Sequence, residues 1–396
     1  MLRWPAPSGI GEWLPQDLAA IAIQRSPDRL PVNVAFAGFR HRAAWEEIFM
    51  MPSISRRLAL STAVLAAAFA PAVASAADVN IYTSRQPELI QPLLDAFTEE
   101  SGLTTATIFI DKGLEERIAA EGANSPADVI MTVDIGRLDA AKQAGVVQPV
   151  EDEILEKNIP EAYRDSEKEW FGLTARGRVV YASKERVDAD ALTYEELADP
   201  KWKGRLCTRS GQHQYNIALI AAYIAHNGEE AAREWVTGLR DNLARRPEGG
   251  DRDQAKAIFA GECDVALGYT YYVGKMATNE KEPEQKEWAD AIKVIMPTFE
   301  NGLTHVNISG VALAKNAPNR DNAVKLMEFL SGDEAQKIYA ELNYEYPLEP
   351  GIEASELVKS FGDLKPDTLP LDEIAKFRTK ASEMVDEVGY DNGPQS

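Results

Sequence analysis

Basic side chains are scarce in this sequence: 42 Lys and Arg stand against 63 Asp and Glu, a formal charge of −21. No basic patch with interleaved aromatics occurs, so no nucleic-acid partner is expected. H-E-x-x-H, G-x-S-x-G and any nucleophile–base constellation are also missing, and with them the usual marks of an enzyme. There are only four histidines, and His213 and His305 each stand alone, as a satisfied polar residue does more often than a ligand. Outside one N-terminal segment, no apolar run is long enough to span a bilayer. The two cysteines, Cys207 and Cys263, each open a short apolar stretch. Adjacent parallel strands could bring them to bonding distance, with free buried cysteines as the alternative.

The exceptional N-terminal segment reads as an export signal. Arg56 and Arg57 precede an apolar run from Leu58 to Val73, and Ala74-Ser75-Ala76 forms an A-x-A cleavage site. Cleavage after Ala76 would leave an exported chain beginning at Ala77, in an oxidising compartment that permits a disulfide. The arginine pair fits the twin-arginine route and the general route alike. Residues 1–50 read as an upstream extension, with translation starting at Met50 or Met51, and 51–76 as the signal peptide. Removing 1–76 takes 7 of 42 basic and 5 of 63 acidic residues, and the remainder is still acidic at about −23. A chain of 396 residues is long enough for two lobes.

Strand and helix patterns then alternate. Asp78 to Tyr82 reads as a strand, and Pro87 opens a helix with Leu89, Ile90, Leu93, Leu94 and Phe97 on one stripe, closed by Gly102. Thr105 to Ile110 and Asp128 to Val133 read as strands, with helices over Gly113 to Gly122 and Ile135 to Ala144. This order implies βαβ units and a parallel sheet. Trp170 to Thr174 and Arg178 to Ala182 form an extended stretch long enough to cross between lobes, and Val306 to Leu313 is a return crossing. Trp202 to Gly211 reads as a strand feeding a polar turn, and Tyr215-Asn216 opens a helix. Asp251 is expected to cap the helix that ends at Gly261, and Ser331 and Glu334 stand in capping-box spacing. The acidic tail after Pro370 reads as one surface helix with a frayed end.

The strand Cys263 to Leu267 runs into Gly268-Tyr269-Thr270-Tyr271-Tyr272-Val273-Gly274. Adjacent side chains point apart on a strand, so Tyr271 and Tyr272 can converge only where the backbone turns. A strand-to-helix turn is such a place, and ligands of open α/β sheets bind there. Taken alone, the pair would more simply pack a domain edge.

Seven stretches in order tie the pair to a known pattern: Asn80-Ile81-Tyr82-Thr83-Ser84-Arg85-Gln86-Pro87, Ser125-Pro126-Ala127-Asp128-Val129, Trp170-Phe171-Gly172-Leu173-Thr174-Ala175-Arg176, Arg209-Ser210-Gly211 with Tyr215-Asn216, Gly249-Gly250-Asp251-Arg252-Asp253-Gln254, Tyr271-Tyr272, and Asn307-Ile308-Ser309-Gly310-Val311. From about Asp78 to Asp391 the chain resembles the periplasmic ferric-ion-binding proteins of ABC importers, members of the class II solute-binding fold. The resemblance implies an α/β, two-lobed Venus-flytrap architecture with two interdomain crossings. The N-terminal lobe would comprise 77–175 and 300–347, and the C-terminal lobe 176–299 and 348–396.

It implies Fe3+ as cargo, with Tyr271, Tyr272 and Tyr215 as phenolate ligands and carbonate or bicarbonate as a synergistic anion bound by Arg85 and Arg176. Ser210 and Gly211 would add anion donors or serve as a plain helix cap. Gln86 and Pro87 stand where other members carry a histidine, or a histidine and a tyrosine, which leaves Gln86 a neighbour of the ligands. Tyrosine phenolate suits a hard cation, and a bound cation lowers the phenol pKa. The expected partner is an inner-membrane ABC permease with its ATPase, and the expected state a monomer. The competing readings are a binding protein for another small anion or an organic cation, and a secreted enzyme with tyrosine-ligated iron. Tyr82, Tyr181 and Tyr269 read as packing residues, and the sequon Asn307-Ile308-Ser309 as part of a strand.

Overall fold

Among the described residues, ten strands carry the architecture: β1 (Val79–Thr83), β2 (Thr105–Phe109), β3 (Val129–Thr132), β4 (Val147–Gln148), β5 (Phe171–Ser183), β6 (Leu206–Cys207), β7 (Val265–Tyr269), β8 (Ile292–Ile295), β9 (Val306–Ala314) and β10 (Tyr346–Pro347). The computed structural model describes residues 77–394. The upstream extension and the signal peptide lie outside the described residues. The strand order is β2-β1-β3-β9-β5-β7-β6, with β4 on β9 and β8 and β10 on β5.

The first βαβ units form as their periodicity dictates. The helix Pro87–Ser101 buries Leu89, Ile90, Leu93, Leu94 and Phe97, and Gly102 closes it in the left-handed conformation at φ 71°. β1 pairs in parallel with β2 and β3. The sheet is mixed, however, because β9 returns antiparallel between β3 and β5.

β5 joins two sheets in one run. Phe171 to Gly177 pairs with β9, and Arg178 to Ala182 pairs antiparallel with β7. The two extended stretches expected from the sequence are thus one strand of thirteen residues, all buried. A strand covered on both faces loses polar–apolar alternation, and the charges it does carry, Arg176 and Arg178, must find partners inside. Gly268 on β7 admits the ring of Tyr181, since a Cβ there would lie 2.0 Å from the Tyr181 Cζ. The Tyr181 hydroxyl donates to the Tyr269 carbonyl at 2.6 Å, fixing the end of β7.

Four local expectations need correction. The strand before Tyr215 is two residues long, Leu206–Cys207, because Pro200–Trp202 forms a 3-10 turn. Asp251 is the first helical residue and Gly250 precedes it as the cap, with Asp253 accepting from the Gly250 N–H. The capping box at Ser331 does not form: Gly332 occupies the cap position, and the Ser331 hydroxyl donates to the Glu328 carbonyl. The acidic tail is not a surface element. Helices Leu371–Ala375 and Arg378–Val388 bury Leu371, Ile374, Ala381, Met384, Val385 and Val388, and Tyr390 is buried beyond them. Gly211 lets this tail approach, since a Cβ there would lie 2.7 Å from Tyr390 Cδ1. Asn307 is fully buried in β9, where its amide bonds the Ile135 N–H and the Asp134 carboxylate.

Cys207 and Cys263 are joined in a disulfide with Cα atoms 5.9 Å apart, and β6 and β7 are the parallel neighbours. The bridge closes a loop of 56 residues. By the chain-entropy relation the double variant Cys207→Ser/Cys263→Ser should lose up to about 4 kcal/mol, read as a lower midpoint in urea denaturation. His305 is buried with both ring nitrogens lacking partners. Burial holds its pKa down at about 3, with Asp367 opposing and Arg178, His226 and Arg378 adding to the depression. The unfolded chain takes up a proton between about pH 6.5 and this value that the folded chain refuses. The stability from a neutral His305 is therefore full above that window and lost as pH falls through it. His305→Leu should gain on the wild type as pH drops from 7 to 4, at a slope approaching about 1.4 kcal/mol per pH unit, measured by denaturation at each pH.

Candidate functional site

Two strand-to-helix turns converge. β6 leads through Thr208 to His213 into the helix Gln214–Asn227, which carries Tyr215 in its first turn. β7 runs directly into the helix Thr270–Ala277, which carries Tyr271 and Tyr272. The pair sits just past the turn from strand to helix, with ring centroids 4.1 Å apart. The Tyr215 and Tyr271 hydroxyls lie 3.5 Å from one another. Tyr215, Tyr271 and Tyr272 are only 4%, 4% and 8% exposed, yet all three line one cavity of about 150 Å³. Tyr269 packs edge-on against Tyr215 at 4.7 Å, within the same aromatic cluster.

Guanidinium groups surround these rings. The Arg176 Cζ sits 5.7 Å from the Tyr215 ring, 5.1 Å from Tyr269 and 5.7 Å from Tyr271. Arg209 covers Tyr215 at 5.0 Å, Arg178 covers Tyr269 at 4.9 Å and Arg252 covers Tyr272 at 5.2 Å. Asp251 binds the group together. Its carboxylate accepts from Arg178 Nη1 at 3.0 Å, from Arg209 Nη1 at 2.9 Å and from the Tyr269 N–H at 2.9 Å. Burial pushes its carboxyl up, but Arg178, Arg209 and His213 outweigh this and hold it below the ordinary carboxylate range.

Burial also pushes the Tyr271 and Tyr272 hydroxyls above the ordinary phenol range, and Tyr215 adds to it, while Arg176 opposes the shift at Tyr271 and Arg209 at Tyr272. The pair is therefore protonated at neutral pH, and a bound cation would favour the phenolates by lowering the phenol pKa. Phenols facing a cavity, backed by guanidiniums, can take a cation together with an anion.

The remaining residues singled out from the sequence fall into two groups. Gln86 lines the cavity with an unpartnered Oε1. Arg85, Arg176, Ser210 and Gly211 are not among the residues that line it. Arg176 donates through Nη2 to the Val133 carbonyl and to Ile308 O at 3.2 Å. Arg85 donates through Nη2 to Glu345 Oε1 at 2.6 Å and through Nη1 to Ser309 Oγ at 2.8 Å. Ser210 Oγ and the Gly211 N–H both donate to the Asp391 carboxylate at 2.7 Å, against the C-terminal tail. His213 does line the cavity, but its Nδ1 accepts from the Tyr215 N–H at 3.2 Å as a helix cap. Burial and the Arg209 charge lower its pKa to about 3.

Sequence reasoning missed Ser84, Arg137, Arg178, Arg209, Asp251 and Glu345 as members of this neighbourhood. Ser84 lines the cavity with an unpartnered hydroxyl, and Arg137 reaches across to Gln214 Oε1 at 2.5 Å. A signal existed for Arg178: spacing of two from Arg176 puts both on one face of a strand. Nothing local marks Glu345.

The profile described as bacterial extracellular solute-binding protein matches residues 82–337. Iron uptake protein A1 of Synechocystis is 44% identical over 79% of this chain and 87% of its own length. The apo ferric ion-binding protein A of Pasteurella haemolytica superposes with a TM-score of 0.76 at 50% identity, over 79% of this chain and 98% of that one. A Trichodesmium protein in complex with iron and citrate ligands reaches 0.74 at 43% identity, over 79% and 99%. The architecture is accordingly the class II periplasmic binding fold. The chain belongs to the bacterial extracellular solute-binding protein family.

Proposed function

We propose that this protein captures Fe3+ in the periplasm and delivers it to an ABC permease in the inner membrane, powered by an associated ATPase. The observation that carries the reading is the convergence of Tyr215, Tyr271 and Tyr272 on one cavity backed by guanidiniums. It is a binding protein and not an enzyme, in keeping with its family and with relatives whose names describe iron uptake and ferric-ion binding. Three phenolates would neutralise the ferric charge, and oxygen donors suit so hard a cation.

Among the buried groups of this neighbourhood, Arg85, Arg176 and Arg178 stand with the largely buried Arg209 against Glu345 and Asp251, while the buried Asp134 is matched by Arg378. Four positive charges against two negative ones leave room for a dianion, which would spare the site the large cost of uncompensated buried charge. Carbonate fits this count and the limited cavity volume. The unpartnered Ser84 hydroxyl and the Arg137 and Arg209 side chains on the cavity wall are donors within reach of such an anion. The changeover of β5 between sheets at Gly177 and Arg178 supports an N-terminal lobe of 77–175 and 300–347 and a C-terminal lobe of 176–299 and 348–396. We read the protein as a monomer, exported with cleavage after Ala76.

Iron added to the exported protein as Fe2+ and oxidised in place by air, without a chelator, tests the reading. A visible tyrosinate-to-iron band that saturates at one equivalent, strengthens with bicarbonate and collapses in Tyr271→Phe is expected. A band that needs citrate instead of bicarbonate would reassign the anion. No band with either anion would mean that the tyrosines are structural and the cargo is another small solute.

A further inference from the structure

Behind the cavity wall, one of the two arginines that the resemblance assigns to an external anion, Arg85, already holds an internal one. Glu345 accepts from Arg85 Nη2 at 2.6 Å, from Ser309 Oγ at 3.1 Å and from the Thr174 hydroxyl. Arg85 and Glu345 are each 1% exposed. Burial pushes the Glu345 carboxyl up, but Arg85, Arg176 and the Thr174 hydrogen bond hold it below the ordinary range, so it is a carboxylate. Arg85 and Arg176 each retain an Nε with no acceptor. The residues on either side of Arg85, Ser84 and Gln86, form part of the cavity wall. Arg85 thus belongs to the segment that forms the wall, with its guanidinium turned toward Glu345 and Ser309.

The turn that carries Glu345 reaches both halves of the site. Asn343 Nδ2 donates to the Leu89 carbonyl at 2.9 Å, and Leu89 lines the cavity. The Tyr344 ring lies on Gly274 of the Tyr271 helix, so closely that a Cβ at Gly274 would meet Tyr344 Cγ at 2.4 Å. The Tyr344 hydroxyl donates to Thr278 Oγ1, at the end of the same helix, at 3.0 Å. Tyr344 holds a φ of 59°, and Lys168 is the only other non-glycine residue with positive φ among the described residues. A side chain with a Cβ enters this region at a steric cost and stays there only where its surroundings hold it.

We infer that Glu345 is an internal anion that occupies Arg85 in the cargo-free protein, and that a small oxyanion loaded with iron must displace it. This rests on the reading that an oxyanion completes the coordination of iron. A planar guanidinium can exchange one carboxylate-like partner for another in the same geometry. A dianion entering beside a buried carboxylate is opposed by like charge until that carboxylate withdraws from Arg85. Withdrawal moves the 343–345 turn, and Tyr344 passes the shift to the helix that carries Tyr271 and Tyr272. Loss of the anion lets the Arg85–Glu345 pair re-form, which favours release of the cargo. Glu345 is thus a positioning residue that sets the anion affinity without touching iron.

Bicarbonate titration tests this on the exported protein, with Fe3+ generated in place and the half-maximal concentration read from the visible band. Removing a charge-assisted competitor should lower that concentration about tenfold or more in Glu345→Gln, and adding Arg85→Gln should abolish the gain. A natively folded Glu345→Gln protein whose midpoint is unmoved or raised overturns the inference. If circular dichroism shows that Glu345→Gln does not fold, Thr174→Val decides. It removes one hydrogen bond from Glu345 and keeps every charge, so a smaller fall is expected and an unmoved midpoint overturns the proposal. A wild-type protein with no band at any bicarbonate concentration would instead overturn the ferric reading beneath it, whereas a normal wild-type band with unmoved variants would leave that reading standing.

Discussion

The carboxylate of Asp251 is the tie on which the tyrosine cluster depends. It is fully buried and joins three separate pieces of chain: Arg178 on β5, Arg209 in the turn before the Tyr215 helix, and the Tyr269 N–H at the end of β7. Each arginine in turn covers a tyrosine ring. A buried ion pair gives little net stability, but losing one partner costs on the order of 3–5 kcal/mol. Such a group therefore specifies an arrangement: either all three elements meet at Asp251, or charges are left bare in the interior.

The arrangement also explains why the site is built where β5 changes sheets. A strand covered on both faces can present Arg176 and Arg178 to the interior, with Gly177 between them. Arg176 faces the Tyr215, Tyr269 and Tyr271 rings, and Arg178 faces Tyr269 and Asp251. The disulfide reinforces the same geometry, because Cys207 and Cys263 each stand eight residues before a tyrosine of the cavity, Tyr215 and Tyr271. The two strands that lead into the tyrosine-bearing helices are cross-linked at their entry. Buried guanidiniums then set the electrostatics at Tyr271 and Tyr272: Arg176 and Arg209 oppose the effect of burial on these two phenols without overcoming it, so both are neutral near pH 7.

Much of this was legible in the sequence. The strand and helix succession, the apolar stripe of the first helix and the convergence of Tyr271 with Tyr272 at a strand-to-helix turn follow from period and from side-chain direction. The errors lie where local pattern competes with distant packing. Asp251 is a good capping residue by type, but two arginines and an N–H claim its carboxylate. The tail after Pro370 reads as exposed because of its acidic residues, yet its apolar positions cover the Tyr215 helix and its Asp391 carboxylate takes up Ser210 and Gly211.

By itself, the sequence determined most of the succession of strands and helices, that the chain carries an export signal pattern, and that Tyr271 and Tyr272 stand at a strand-to-helix turn, because these follow from short-range periodicity and composition, whereas Tyr215 entered only through the family resemblance. Only the tertiary structure decided which polar groups have partners. Arg85 and Glu345 are 260 residues apart in the chain, and Arg178 and Asp251 are 73 apart. Periodicity reports that a position is buried but not what it meets there, and in a dry interior the partner decides what a charged side chain can do.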